Sequence, residues 1–83
     1  MNYEMTEHAK DALAKRKILV EWLENALASP QRIEPDATDA ALEHRLAVIP
    51  EHGNRVHRVV VNIQATPERV VPLFFDRKMN GKL

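Results

Sequence analysis

The chain has 83 residues and no cysteine, and twelve basic residues balance twelve acidic ones for a formal net charge of zero. We expect a single domain spanning 1–83 with a small core, and the lack of cysteine excludes a disulfide framework and a thiolate metal site. The neutral charge argues against nucleic-acid binding by bulk electrostatics alone. A local basic site remains open, because the last third of the chain is rich in arginine and lysine.

The N-terminal residues, MNYEMTEHAKD, carry charges where a signal peptide needs an apolar core. No apolar run reaches the length of a membrane span. We therefore expect a cytoplasmic protein without membrane association.

Two short amphipathic helices are predicted near the start of the chain. Thr6 is a good N-cap, and the apolar residues around it recur at helical spacing, which predicts a helix over 6–16. The same spacing returns from Leu19 to Leu27, and Ser29-Pro30 favours a stop, so a second helix is predicted over 19–28. The brief join predicts a helical hairpin over 6–28 whose apolar faces need a further surface to cover them.

An antiparallel sheet is predicted over 42–77. Residues 31–34 are a candidate short edge strand, and 35–41 form an acidic loop. Leu42–Ile49 predicts a strand, and the apolar runs Val56–Ile63 and Val70–Phe75 flank a proline-containing break typical of a hairpin. With a tail at 78–83, the pattern predicts a two-layer α+β domain. Two N-terminal helices pack on one face of a three- to four-stranded antiparallel meander.

Alternate residues of a strand point to opposite faces, so pairing the strands through their turns predicts two faces. One is expected to carry His44, Leu46, Val48, His57, Val59, Val61, Val70 and Phe74. The other is expected to carry the arginines at positions 45, 58, 69 and 77. Because arginine is rarely buried without a partner, we expect the helices to cover the first face. Pro72 has no amide proton, which predicts an edge or an irregularity in its strand.

A series of short motifs runs through almost the whole chain: Thr6-Glu7-His8-Ala9, Arg16-Lys17-Ile18, Glu43-His44-Arg45-Leu46, Ile49-Pro50-Glu51, Gly53-Asn54-Arg55-Val56, Arg58-Val59-Val60-Val61-Asn62 and Phe74-Phe75-Asp76-Arg77. In this order and spacing they resemble family 4258 of small bacterial domains of unknown function. That family is similar in outline to RelE-like and barnase-like ribonuclease toxins, in which two helices pack on a curved antiparallel sheet. No activity is established for the family as a whole.

The resemblance points to a set of polar residues as the site, namely His8, Arg16, Arg45, Arg58, Asp76 and Arg77. The chain departs from the family at two positions. It has His57 where the family usually has an apolar residue, and Pro72 where the family usually has threonine.

A metal-independent ribonuclease needs a proton acceptor, a donor to the leaving oxygen and cations for the phosphorane charge. The predicted catalytic set is His8, Arg45, Arg58, Asp76 and Arg77. Within it, His8 transfers the proton and the three arginines bind phosphate. The alternative is a solvated arginine row tied to Glu43, Glu68 or Asp76, with His8 an ordinary surface histidine.

No cofactor and no metal are expected. The chain has only two glycines, at 53 and 81, so there is no glycine-rich phosphate loop, and the histidines lack the spacing of a zinc site.

Two functions therefore stay open. The first is a RelE-like domain that interacts with RNA or cleaves it. The second is a non-catalytic module that pairs with a cognate, antitoxin-like protein partner or with itself, through the acidic loop at 35–39 or an exposed strand edge. The neutral charge favours the second function, and the arginines with the family outline favour the first.

Overall fold

Five strands and two helices form within residues 2–83, which the computed structural model describes. Their bounds are β1 (Tyr3–Met5), α1 (Glu7–Lys15), α2 (Val20–Ala28), β2 (Arg32–Pro35), β3 (Leu42–Ile49), β4 (Arg55–Asn62) and β5 (Glu68–Phe75). Short 3-10 turns at Pro50–His52 and Arg77–Met79 follow β3 and β5. The strands form one mixed sheet in the order β1-β5-β4-β3-β2, and both helices pack on one of its faces. The predicted α+β class with two helices is confirmed.

Thr6 starts α1 and ties it to the sheet. Its side-chain oxygen accepts a hydrogen bond from the amide of Ala9 at 3.1 Å, and its hydroxyl donates to the carbonyl oxygen of Val71 at 2.7 Å. Lys17 lies in the link between α1 and α2 and has a φ of 53°, in the left-handed region that few side chains adopt. Both helix predictions are confirmed to within one residue at each end.

The sheet differs from the prediction in strand number and in direction. The prediction of three to four strands, all antiparallel, was wrong, because β1 adds a fifth strand that runs parallel to β5. In this pairing Tyr3 lies beside Glu68 and Met5 beside Val70. A strand of three residues is too short for an alternating pattern to reveal it in the sequence.

The register between β3 and β4 also differs from the prediction. The turn between them contains Gly53 and Asn54 in the left-handed region, with φ of 68° and 56°. It sets Arg45 opposite Val59 and places Arg58 in the next cross-strand pair, opposite Leu46. Because neighbouring pairs face opposite sides, the prediction that Arg45 and Arg58 share a face was wrong.

The inner face of the sheet forms the core with the helices. Its buried members include Ala47 of β3 together with Val59, Val61, Val70 and Leu73. They pack against buried residues of the helical layer, namely Ala9, Ile18, Leu23 and Ala26. The outer face is also largely closed, since Leu46 and Val56 are fully buried there.

A bulge lies in β5 at the predicted irregularity. Val59 pairs with Leu73, but Val61 pairs with Val70, so Val60 faces the two residues Val71 and Pro72. A proline is tolerated here because a bulge leaves a residue outside the regular ladder. Within residues 2–83 neither helix, each nine residues long, has the length to cross a membrane.

We expect Thr6→Ala to lower the free energy of unfolding by about 1–2 kcal/mol, because it removes the cap and the bond to Val71. Urea unfolding of both variants checks this. Thr6→Ser is the matched control, since it retains the hydroxyl and should recover most of the loss. An equal loss in both variants would show that the threonine methyl group, and not its hydrogen bonds, stabilises this junction.

Candidate functional site

Arg58 is the centre of a polar network on the outer face. It lies in the middle of β4, and its side chain is 13% exposed. Its guanidinium donates to Asp76 at 2.8 Å, to Glu34 at 3.2 Å and to Nδ1 of His44 at 2.8 Å. The network therefore joins β2, β3 and β4 with the residue that follows β5.

His44 extends this network to the acidic loop. An arginine has no acceptor, so Nδ1 of His44 accepts from Arg58, and Nε2 must carry the proton that is donated to Asp36 at 2.7 Å. Asp36 also accepts from the amides of Thr38 and Asp39. The hydrogen bond to His44, with help from these amides, lowers the pKa of Asp36 to about 2. Both ring nitrogens of His44 are thus engaged, and neither is free to accept a substrate proton.

Arg45 lies on the inner face, near the C-terminal end of α2. It binds Glu68 through two parallel bonds of 3.1 and 3.0 Å and Glu43 through a bond of 2.8 Å. A fourth bond, of 3.3 Å, reaches the carbonyl oxygen of Leu27. Burial opposes the charge of Arg45, yet the bonds to Glu68 and Glu43 outweigh this and raise its pKa. Its function in the fold is to close the end of α2 onto the sheet.

The predicted site residues do not converge. His8 lies exposed on α1, Arg45 faces the helices, and Arg58 with Asp76 lies on the opposite face. Because the sheet separates Arg45 from Arg58, a single phosphate cannot contact both. Arg45 and Arg58 instead bind acids that the alternative interpretation named, Glu43, Glu68 and Asp76. The catalytic roles themselves stay predictions.

Arg77 lies apart from this network, at a cleft that also involves Arg55. The cleft has a volume of about 240 Å³ and is lined by Arg55, Phe75, Arg77 and Asn80. Within residues 2–83, neither of its arginines is within salt-bridge distance of a carboxylate. Asp76 holds the turn at Arg77–Met79 by accepting from the amide of Lys78 at 3.1 Å. Two positive charges that pair with no carboxylate among residues 2–83 therefore lie at this end of the sheet.

A row of aromatic rings borders the cleft. Ring centroids lie 4.8 Å apart for Trp22 and His52, 5.1 Å for His52 and Phe75, and 5.8 Å for Phe75 and His57. The guanidinium carbon of Arg55 lies 5.7 Å from the centre of the Phe75 ring, and its Nη1 lies 3.4 Å from Nε2 of His52. The cleft therefore combines two free cations with a partly exposed aromatic surface.

Arg55 and His52 were not among the predicted site residues. Both flank Gly53 and Asn54, where the sequence pattern predicts only a turn between two strands. Their shared location beside Phe75 depends on the pairing of β4 with β5, where His57 lies opposite Phe75.

His57 is fully buried in the core, and neither ring nitrogen has a hydrogen-bond partner among the described residues. Burial lowers its pKa to about 4, and the nearby backbone of Trp22, which makes no well-formed bond to the ring, offsets this only in part. His57 is therefore neutral at pH 7.

Within residues 2–83 there is no group of three or more acidic or histidine side chains placed to hold a metal ion.

The architecture defines a small α+β domain, in which a two-helix layer covers one face of a five-stranded mixed sheet. The chain belongs to the family of the domain of unknown function DUF4258, whose model matches residues 5–74. No curated protein and no solved structure matches the chain. The predicted family is thereby confirmed.

We expect Arg58→Ala to lower the free energy of unfolding by about 3 kcal/mol, because the carboxylates of Asp76 and Glu34 then stay partly buried without the positive charge that pairs with them. Arg58→Lys should recover little, since an ammonium group cannot reproduce the planar fork. Urea unfolding provides the measurement. Arg69→Ala is the control, because Arg69 is exposed and forms no salt bridge within residues 2–83. Wild-type stability in Arg58→Ala would contradict a structural role for Arg58 and would favour a role in ligand binding instead.

The stability of the protein should depend on pH through His57. The unfolded state binds a proton at about pH 6.5 and the folded state only near pH 4, so folding is opposed as the pH falls between these values. The loss corresponds to roughly 3 kcal/mol, and it is absent above the unfolded pKa.

Thermal unfolding at several pH values tests this prediction, with His57→Phe as the variant that cannot titrate. The variant should be as stable as the wild type or more so at pH 7, and its stability should change little from pH 6.5 to 4. The effect of Asp36 occurs at lower pH, as the carboxylate is protonated toward its pKa of about 2. An unchanged slope in His57→Phe would assign the acid sensitivity to other groups.

Proposed function

We propose that this domain binds single-stranded RNA at the cleft formed by Arg55, Phe75, Arg77 and Asn80. One observation carries the proposal. Two arginines without carboxylate partners in residues 2–83 meet beside a partly exposed aromatic ring, while Arg45 and Arg58 are neutralised elsewhere.

The charge of the cleft suits a phosphate. A guanidinium group matches two phosphate oxygens with its planar fork, and an arginine that is not already paired can make these bonds without first breaking a salt bridge. Arg55 and Arg77 are both exposed, so approach to them costs little desolvation. Phosphate recognition thus falls to Arg55 and Arg77, in place of the predicted trio of Arg45, Arg58 and Arg77.

The aromatic surface of the cleft suits an unpaired base. Bases stack on aromatic side chains in most proteins that bind single strands, and stacking tolerates any base. The guanidinium of Arg55, which lies beside the Phe75 ring, can also stack on a base through its plane. Paired bases in a duplex do not expose their faces, so this surface favours a single strand over a double one.

RNA cleavage at this cleft would assign proton transfer to His52 instead of His8. Nε2 of His52 lies 3.4 Å from Nη1 of Arg55, whereas His8 lies on α1 beside a different groove. His52 would take the proton of the ribose 2′-hydroxyl as the 2′-oxygen attacks phosphorus, and the arginines would stabilise the charge on the phosphorane. The P–O5′ bond would then break, and the 5′-oxygen would leave with a proton from water.

Titration of a fluorescein-labelled oligouridylate tests binding by fluorescence anisotropy. We expect affinity that falls as the salt concentration rises, with a log–log slope of about −1.4 for two phosphate contacts. Arg55→Ala and Arg77→Ala should each weaken binding by roughly tenfold, the equivalent of about 1.4 kcal/mol. Arg69→Ala, which removes an exposed arginine outside the cleft, is the matched control. No binding at low salt, or equal weakening in the control, would overturn the proposal.

Mass spectrometry of the bound RNA separates binding from cleavage. Products ending in a 2′,3′-cyclic phosphate that disappear in His52→Gln would establish cleavage with His52 in the proton transfer. RNA that stays intact while bound would establish a binding domain without nuclease activity.

A further inference from the structure

A groove of about 380 Å³ lies between α1 and the second half of β5. Lys15 and Arg16, at the end of α1, line one side of it, and residues 72–74 line the other. Both cations are exposed, and within residues 2–83 neither lies within salt-bridge distance of a carboxylate. Asp11 is the one acid of the lining, so the groove has a net positive charge.

The groove offers side chains to a ligand but no backbone for strand pairing. Leu73 is only 2% exposed, and Pro72 has no amide proton, so the backbone here cannot pair with an added strand. A ligand must therefore bind through the ammonium group of Lys15 and the guanidinium group of Arg16. Phosphate oxygens accept hydrogen bonds from both kinds of group and need no backbone donor.

The groove ends close to the cleft because α1 and β5 run side by side. The hydroxyl of Thr6 binds the carbonyl oxygen of Val71 at 2.7 Å, which places the start of α1 beside the bulge. Later residues of both elements line the groove together, so the two run in the same direction. From Thr6 to Lys15 the helix rises about 14 Å. From Val71 to Phe75 the strand rises about 13 Å, so Lys15 lies level with Phe75.

The cleft and the groove therefore lie on the two sides of one strand end. Phe75 lines the cleft and Phe74 lines the groove, because neighbouring residues of a strand point to opposite sides. The arginines of the cleft and the cations of the groove are thus concentrated at one end of a chain whose formal net charge is zero. Unpaired cations on both sides of a partly exposed aromatic ring match a polyanion in which phosphates alternate with bases.

We infer that the groove is a second phosphate site for the same RNA strand, an inference that rests on the proposed function. One base stacks on Phe75, and the strand passes around the end of β5, so that neighbouring phosphates bind Lys15 and Arg16. The preferred ligand is then a single strand of several nucleotides, since a trinucleotide fills only the cleft.

The dependence of affinity on salt tests the inference, because each phosphate of a single strand that binds a cation contributes about −0.7 to the log–log slope. A fluorescein-labelled triuridylate can occupy the cleft only, and its slope should be about −1.4. A labelled decauridylate also reaches the groove, and its slope should be about −2.8. Lys15→Gln with Arg16→Gln should return the slope of the decauridylate to about −1.4 and leave that of the triuridylate unchanged.

Lys10→Gln with Arg69→Gln is the matched control, since it removes the same charge from outside the cleft and the groove. Both of its slopes should equal those of the wild type. Equal slopes for the two strands in the wild type would overturn the inference and leave the cleft proposal intact, as would a decauridylate slope that Lys15→Gln with Arg16→Gln does not change. An equal change in the control would also overturn the inference, because the attraction would then come from the total charge. If neither strand bound at low salt, the proposed function itself would be wrong, and the inference with it.

Discussion

The pairing of β3 with β4 is the constraint on which the rest of this structure depends. The turn around Gly53 and Asn54 sets Arg45 and Arg58 on opposite sides of one sheet. Each arginine then meets its own carboxylates, Glu43 and Glu68 for the first and Glu34 and Asp76 for the second. A shift of one residue would turn every side chain of β3 to the other face and separate these charges from their partners, at a cost of several kcal/mol.

The arginines differ in role because they differ in burial. Arg45 and Arg58 lie in the middle of long strands, where a charge is stable only with partners, and both have them. Arg55 begins β4 and Arg77 follows β5, so solvent hydrates them and no carboxylate is needed. The charges that stabilise the fold and those free to bind a ligand are therefore different residues of one type.

The end of β5 contributes to two separate surfaces. Phe75 lines the cleft with Arg55, while Phe74 lines the groove beside α1. They differ in location because neighbouring residues of a strand point to opposite sides. The bulge at Val71 and Pro72 shifts this alternation by one residue. It lies between the half of β5 that pairs with β1 and the half that does not.

The sequence by itself determined the elements whose causes are local. The Thr6 cap, the stop at Ser29-Pro30 and the apolar run Leu42–Ile49 predicted both helices and β3, and the motif order predicted the family. Only the tertiary structure decided the three-residue β1, the strand register, and which arginines pair with carboxylates and which do not. These depend on contacts such as that between Arg45 and Glu68, which lie 23 residues apart, and no local pattern records which distant partner a charged side chain meets.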